Sequence, residues 1–195
     1  MKNKKFTVKD ITTIALMAAL VFVATNIKID IPTPLGKTMV HMGNIICVLS
    51  GMLFGPVHGG LAAGIGSAIF DLTDPVFAPE FWITFIMKFC MGYIAGKIAH
   101  SGKKSGAKII IAALCGIFSY RIIYVAKEVI LHYFILKSPW ETVLAVLVST
   151  NLISILSMIW NVIASILLYS MLAPHLKRAG IIDHYAPIKK EKQNT

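Results

Sequence analysis

Arg121, Tyr124, Glu128 and His132 recur at three- and four-residue intervals inside one apolar stretch, residues 107–136. At about 100° per residue they fall on one narrow helical face. Ionisable groups at membrane depth are costly, so they face a partner, a water-filled cavity or a bound molecule. This face reads either as the polar wall of a ligand cavity or as an ion-pair ladder, Arg121–Tyr124–Glu128, that satisfies only itself. Lys127 points elsewhere, beside Tyr120 and Leu131, and is expected to snorkel outward or to add to the positive charge of the cavity.

Two further stripes point the same way. Thr84, Lys88, Gly92 and Ala95 share a face in residues 81–100. Lys88 and Glu128 both lie some eight positions from the ends of their stretches, about 12 Å deep at ~1.5 Å per residue, and are expected to face one cavity and to pair. In residues 141–172, Thr150, Ser154, Ser157, Asn161 and Ser165 fall on one face. Ser157 and Ser165 read as helix-packing hydroxyls, Asn151 and Ser154 as candidate ligand contacts, and Asn161 as either. His41 and Asn44 stand beside a Pro-rich segment, residues 30–37, long enough to fold over a pocket as a lid. Asp71 ends a run of small residues; capping a helix or answering Lys88 or Lys37 is favoured over ligand contact.

The chain carries no HExxH, no Gly-x-Ser-x-Gly and no phosphate-binding Gly-x4-Gly-Lys-[Ser/Thr], so neither ATP hydrolysis nor a familiar hydrolase chemistry is expected. Cys47, Cys90 and Cys115 form no CxxC pair and no metal spacing, and read as buried free thiols. No cofactor and no metal site is expected.

These stripes need helices in a membrane to hold them. The chain has 195 residues, 56% hydrophobic and only 14% charged, with mean hydropathy +0.74; soluble domains carry roughly 25% charged residues. A single integral membrane domain, residues 1–195, with no soluble appendage is expected. Six spans are read at about residues 7–29, 40–54, 59–72, 81–100, 107–136 and 141–172, the second and third shorter than the ~20 residues of a full crossing, with a mobile tail over 173–195. The first is read as a retained span, not a removed signal peptide. Residues 30–37 contain two prolines and a glycine, which exclude regular helix there. The net charge of +10 gathers at Lys2, Lys4, Lys5 and Lys9, at Lys97, Lys103, Lys104 and Lys108, and at Lys177, Arg178, Lys189, Lys190 and Lys192. Six spans put all three clusters, and both termini, on the cytoplasmic side; a nucleic-acid partner is not expected. Trp82, Tyr133 and Trp140 suit an aromatic belt at the opposite face, and Trp160, deeper, reads as packing.

Ala15-Leu-Met-Ala-Ala19, Ile31-Pro-Thr-Pro-Leu-Gly36, Met42-Gly-Asn44, Leu49-Ser-Gly-Met-Leu-Phe-Gly-Pro56, Gly64-Ile-Gly-Ser-Ala-Ile-Phe-Asp71 and Lys88-x3-Gly92-x3-Gly96 together resemble the substrate-binding S component of energy-coupling factor (ECF) vitamin transporters, in the riboflavin-transporter-like group. The resemblance runs from about residue 7 to 172. It implies an all-α, six-helix membrane fold in the bacterial cytoplasmic membrane and a vitamin site near the outer surface under the loop joining helices one and two. It further implies docking on a transmembrane T subunit driven by two cytoplasmic ATPase subunits, with Ala15 and Ala19 as the docking strip. Delivery by toppling of the whole subunit is part of what it implies. It leaves riboflavin, pantothenate, pyridoxine-type compounds and pyrimidine precursors of thiamine open; the Arg121, Lys88 and Lys127 set leans towards an anion such as pantothenate. The alternative is a stand-alone secondary transporter coupled to protons through Glu128 or Asp71, although no inverted repeat is visible.

Overall fold

The computed structural model describes residues 6–33, 36–102, 105–182 and 185. Among these are six α-helices and one antiparallel hairpin. Lys2, Lys4, Lys5, Lys103, Lys104, Lys189, Lys190 and Lys192 lie outside the described residues, as does most of the tail.

Helix α1 (Val8–Asn26) opens with a capping box in which the Thr7 hydroxyl and the Asp10 carboxylate serve one another's backbone N–H, satisfying donors that a helix start leaves free. It buries Ile14, Met17, Ala18, Val21 and Thr25 and exposes Ile11, Leu16, Leu20 and Val23. The Pro-rich segment, expected to be extended and non-helical, forms strands β1 (Lys28–Thr33) and β2 (Gly36–His41), paired from Lys28 opposite His41 to Thr33 opposite Gly36. Pro34 and Leu35 at its tip lie outside the described residues, as does the side chain of Lys37.

Helix α2 (Gly43–Phe54) is apolar almost all round and accordingly nearly all buried. Gly55, at φ +85°, breaks the chain there, a backbone region open to glycine without a Cβ penalty. Helix α3 (Pro56–Thr73) begins at Pro56, three residues earlier than expected, because proline is tolerated in a first helical turn where its missing N–H would have no partner. A 3₁₀ turn, Ala78–Glu80, leads into α4 (Phe81–Ala99).

Helix α5 (Gly106–Val129) continues as a π turn, Ile130–Ile135. Helix α6 (Trp140–Arg178) runs past the expected end at residue 172 and contains Pro174. The carbonyl that Pro174 leaves without its helical N–H belongs to exposed Ser170, close to the end of the helix, so the helix survives the loss. The expected mobile tail therefore starts as helix, and further on Tyr185 packs back. Its hydroxyl lies 2.8 Å from Thr13 Oγ1, and its ring stands edge-on to His58 and Phe54.

Among the described residues, four helical stretches are long and apolar enough to cross a bilayer: Val8–Asn26, Ala78–Ala99, Gly106–Ile135 and Trp140–Arg178. The α2 and α3 helices are the short, buried pair. Trp82, Tyr133 and Trp140 are exposed at one end of the bundle. Trp160 is also exposed on α6, so its expected packing role is not found: α6 turns most of its girth away from the other helices.

Small residues let α2, α3 and α4 touch backbone to backbone. A Cβ at Gly51 would meet the Gly92 carbonyl, and one at Gly92 would lie 2.6 Å from the Gly59 carbonyl oxygen. Ser50 Oγ donates to the Gly59 carbonyl at 3.2 Å across the same seam. We expect Gly92→Val to destabilise the protein by about 1–3 kcal/mol, the usual range for overpacking, read as a fall in unfolding temperature in detergent. Gly106→Val, where a Cβ meets nothing, should change it little.

Candidate functional site

The hairpin end of the bundle holds the polar residues. There the C-terminal ends of α1, α3 and α5, the N-terminal ends of α4 and α6, strand β2 and the 3₁₀ turn enclose a chamber of about 240 Å³. Tyr124, Glu128, His132, Lys88, Thr84 and His41, expected as site residues, line this wide chamber.

Its charges are arranged around Lys127. The Lys127 ammonium lies 2.9 Å from Glu80 Oε2 and 2.6 Å from Glu128 Oε1. Lys127 thus does not point away from the site or snorkel. Its long stem carries the ammonium from the neighbouring face of α5 into the same chamber, where the 3₁₀ turn supplies the second carboxylate. The other Glu128 oxygen lies 3.2 Å from His132 Nε2. His132 sits in the π turn, where the Leu136 N–H bonds back five residues to the Leu131 carbonyl at 2.9 Å. A widened turn of this kind breaks the regular helical stagger and recurs at functional sites. It leaves His132 buried, with Nδ1 lacking any hydrogen-bond partner among the described residues.

Lys88 does not pair with Glu128. Its ammonium donates to Asn44 Oδ1 and stands 4.1 Å from the centre of the Tyr120 ring, within cation–π range. Nearby, His41 Nδ1 accepts the Gly43 N–H at 3.1 Å. Burial, then Lys88 and Lys28, hold the His41 pKa well below its ordinary value. The ring is therefore neutral and carries its proton on Nε2. Asp71, expected chiefly as a structural residue, is buried and lines the wide chamber.

A second, narrow chamber of about 40 Å³ adjoins the first and shares Thr38, Met39, His41, Tyr120 and Tyr124 with it. Arg121, Asn44 and Ser154 line it, joined by Ser157 and Asn161. Arg121 Nε and Nη2 donate to Asn151 Oδ1 at 3.1 and 2.7 Å, and the guanidinium stacks 4.8 Å from the Tyr124 ring centre. Asn151 thus touches Arg121 and lines neither chamber. Asn161 is almost wholly buried, and its Oδ1 has no partner among the described residues.

The expected surplus of positive charge is absent from the wide chamber. Asp71, Glu80 and Glu128 stand there against Lys88 and Lys127, with Arg121 in the adjoining chamber, so the three cations are matched by three carboxylates. Glu80 has no expected role in the chamber, Asp71 is expected chiefly as structural and Lys127 either to snorkel or to add charge to the cavity; all three line it. For the two carboxylates the signal is acidic character near the ends of apolar stretches, for Lys127 a cation inside one, and tertiary reach decides the rest. No group of three or more potential metal ligands occurs among the described residues. Ala15 and Ala19 lie in the middle of α1 on its exposed side.

Comparison with known proteins bears on the chain as a whole. A family model described as "ECF-type riboflavin transporter, S component" matches residues 5–174. A solved structure described as the S component of a bacterial ECF transporter aligns with a TM-score of 0.65 at 25% identity, covering 87% of this chain and 98% of that one. An uncharacterized protein of a gap 3' region from Pyrococcus woesei is 40% identical over 48 residues, 25% of this chain and 32% of that protein. The chain thus spans about a third of the length of that relative.

Two outcomes test the site's electrostatics. Lys127→Met should destabilise the protein by about 3 kcal/mol, the lower end of the range for breaking a buried pair, since it leaves the buried Glu128 and the partly exposed Glu80 without their cation. The double variant Lys127→Met/Glu128→Gln should recover part of that loss in the same thermal unfolding assay. The second concerns His41. Its folded pKa is depressed, so below the ordinary histidine value of about 6.5 the unfolded chain binds a proton that the folded chain refuses. Stability should fall as pH drops from 7 towards 5, and His41→Asn should flatten that slope.

Proposed function

The chain belongs to the family of S components of ECF-type riboflavin transporters, and from that membership we propose that it captures a water-soluble vitamin or vitamin precursor in the chambers at the hairpin end. The family is a transporter component, so the chain is not an enzyme. The single observation that carries the reading is a pair of polar chambers, with buried charges and two buried polar atoms that have no partner among the described residues, at one end of an otherwise apolar helix bundle. A membrane protein without a polar task has no use for such a set.

In this reading all six helices are embedded in the bacterial cytoplasmic membrane, and both termini are cytoplasmic. The hairpin end then faces outward. Basic residues at the opposite end of the bundle support that orientation, Lys9, Lys97 and Lys177 among them. The hairpin of β1 and β2 roofs the site. Lys28 at its base holds Asp74 beyond α3 at 2.9 Å, an interaction that ties the roof to the rim. Transport is powered by two ATPase subunits acting through a T subunit.

Docking is assigned to Ala15 and Ala19. Both are exposed on α1 and one turn apart. Small residues so spaced make a shallow strip that another helix can approach closely. The Ala15→Leu/Ala19→Leu double variant should abolish co-purification with the T subunit and ATPases while leaving ligand retention intact. Assembly that survives the change would remove the docking assignment. Uptake into liposomes by the isolated chain, driven by an ion gradient without ATP, would replace the whole reading with that of a secondary transporter.

A further inference from the structure

Resting on the capture reading, the inference concerns which group of a ligand the chambers recognise. The three cations are matched by three carboxylates in number but not in place. At the rim, Lys127 lies between Glu80 and Glu128. Deeper in, Lys88 and Arg121 have only neutral partners among the described residues. The Lys88 ammonium, almost wholly buried, meets Asn44 Oδ1 and the Tyr120 ring. Arg121 spends two N–H groups on the single oxygen of Asn151 and lies against the Tyr124 ring. Asp71 lines the wide chamber too but forms no ion pair with Lys88.

These two cations stand at one depth. A Cβ on Gly116 of α5 would lie 2.9 Å from the Ala95 Cβ and 3.0 Å from the Met91 carbonyl oxygen of α4, which sets the two helices level there. Counted from that level, Arg121 along α5 and Lys88 back along α4 both lie roughly 7 Å towards the hairpin end. The Tyr120 and Tyr124 rings that meet them are 6.0 Å apart. Lys127 and Glu128 follow about 10 Å further up α5. His41 adds a donor. It lines both chambers, and with Nδ1 taken by the Gly43 N–H its Nε2–H has no acceptor among the described residues. Of their five and three N–H groups, Arg121 has three left over and Lys88 two. The spare donors thus flank the boundary between the chambers, Arg121 on the narrow side, Lys88 on the wide side and His41 in both.

A buried cation recovers its lost hydration only from an opposite charge and filled hydrogen bonds, and a bond to an anion is roughly twice as strong as one to a neutral amide. The rim group carries one carboxylate in excess of its lysine. At about 10 Å its repulsion is outweighed by two cations at contact distance, because the energy falls as 1/r.

We propose that the ligand carries a carboxylate and seats it at the boundary between the two chambers, against Arg121 and His41 Nε2–H, with Lys88 facing it from the wide side. The rest of the molecule lies in the wide chamber, towards Glu128 and His132. Asn161 Oδ1 is an acceptor and takes a donor from elsewhere on the ligand, not the carboxylate. This separates the chain from the riboflavin of its family's description, which has no carboxylate.

Calorimetric titration of the full-length chain in detergent tests it with two matched pairs, pantothenate against pantothenol and nicotinate against nicotinamide, and with riboflavin. At least one of the two acids should bind about tenfold or more tightly than its neutral counterpart and than riboflavin. Arg121→Gln and Lys88→Gln should each weaken binding of that acid by about tenfold and leave the neutral counterpart nearly unchanged. A merely structural role would weaken both alike. Arg121→Met or Lys88→Met replaces a glutamine variant that does not fold. A neutral counterpart or riboflavin binding as tightly as the acids overturns the proposal. So does failure of both acids to bind, or an acid-to-neutral ratio that neither variant changes. Assembly with the T subunit and ATPases is read separately. Intact assembly with a neutral probe preferred sinks this inference alone, whereas failed assembly sinks the capture reading.

Discussion

An ammonium group inside an apolar bundle needs carboxylates within reach, and Lys127, held between Glu80 and Glu128, imposes that need on the rest of the site. Removing charge from water costs several kcal/mol per ion, recovered only where geometry is good and the remaining hydrogen-bonding capacity is filled. Lys127 meets the condition by drawing the 3₁₀ turn before α4 against the end of α5. Glu128, sharing one oxygen with Lys127, turns the other to His132. The regular helix then gives way to a π turn at the residue that makes this contact. The orphan Nδ1 of His132 is thus a downstream result of where the lysine had to be neutralised.

The opposite end of the bundle makes this possible. Gly51, Gly59, Gly92 and Gly96 bring α2, α3 and α4 together with almost no side chain between them. All four stand away from the hairpin, towards the end of α2, the start of α3 and the later half of α4. Helices pinned so tightly at one end leave space at the other. That is where His41, Asn44, Asp71, Thr84 and Lys88 sit. Close glycine packing and polar chambers are two consequences of one arrangement, since the volume withdrawn from one end becomes available at the other.

What was legible in the sequence followed from helical periodicity. The shared face of Tyr124 and Glu128, the inward direction of Lys88, the shortness of α2 and α3 and the extended Pro-rich segment are local properties of spacing and residue type. What was not legible depended on contacts between elements. Lys88 finds Asn44 rather than Glu128, whose two oxygens are engaged by Lys127 and His132. Lys127 enters the chamber although its Cα faces elsewhere, because a four-carbon stem outreaches a 100° step. The π turn at His132 has no glycine or proline to announce it. Pro174 fails to end α6, and Trp160 faces outward, because the last helix has few neighbours to constrain it.

That loose attachment of α6 bears on how capture and stability are linked. The helix has 39 residues, some 58 Å at ~1.5 Å each. Its buried contacts are few: Val143, Val146, Thr150, Asn161, Val162 and Ser165. Yet it supplies Asn161 to the narrow chamber and Asn151 to Arg121. Val162 joins the apolar core with Met158 and Ile166 packed beside it, while around the narrow chamber the wall is polar: Arg121 meets Asn151, and Asn161 Oδ1 has no partner among the described residues. A molecule that donates to Asn161 while lodged against α5 would therefore join the two helices as well as occupy the site. Binding that closes α5 on α6 stabilises the folded state by mass action, and the same closure removes the ligand from water. On the capture reading, binding and consolidation of the last helix would be one event, and the least buried of the four long apolar helices would use one of the most deeply buried polar side chains, Asn161.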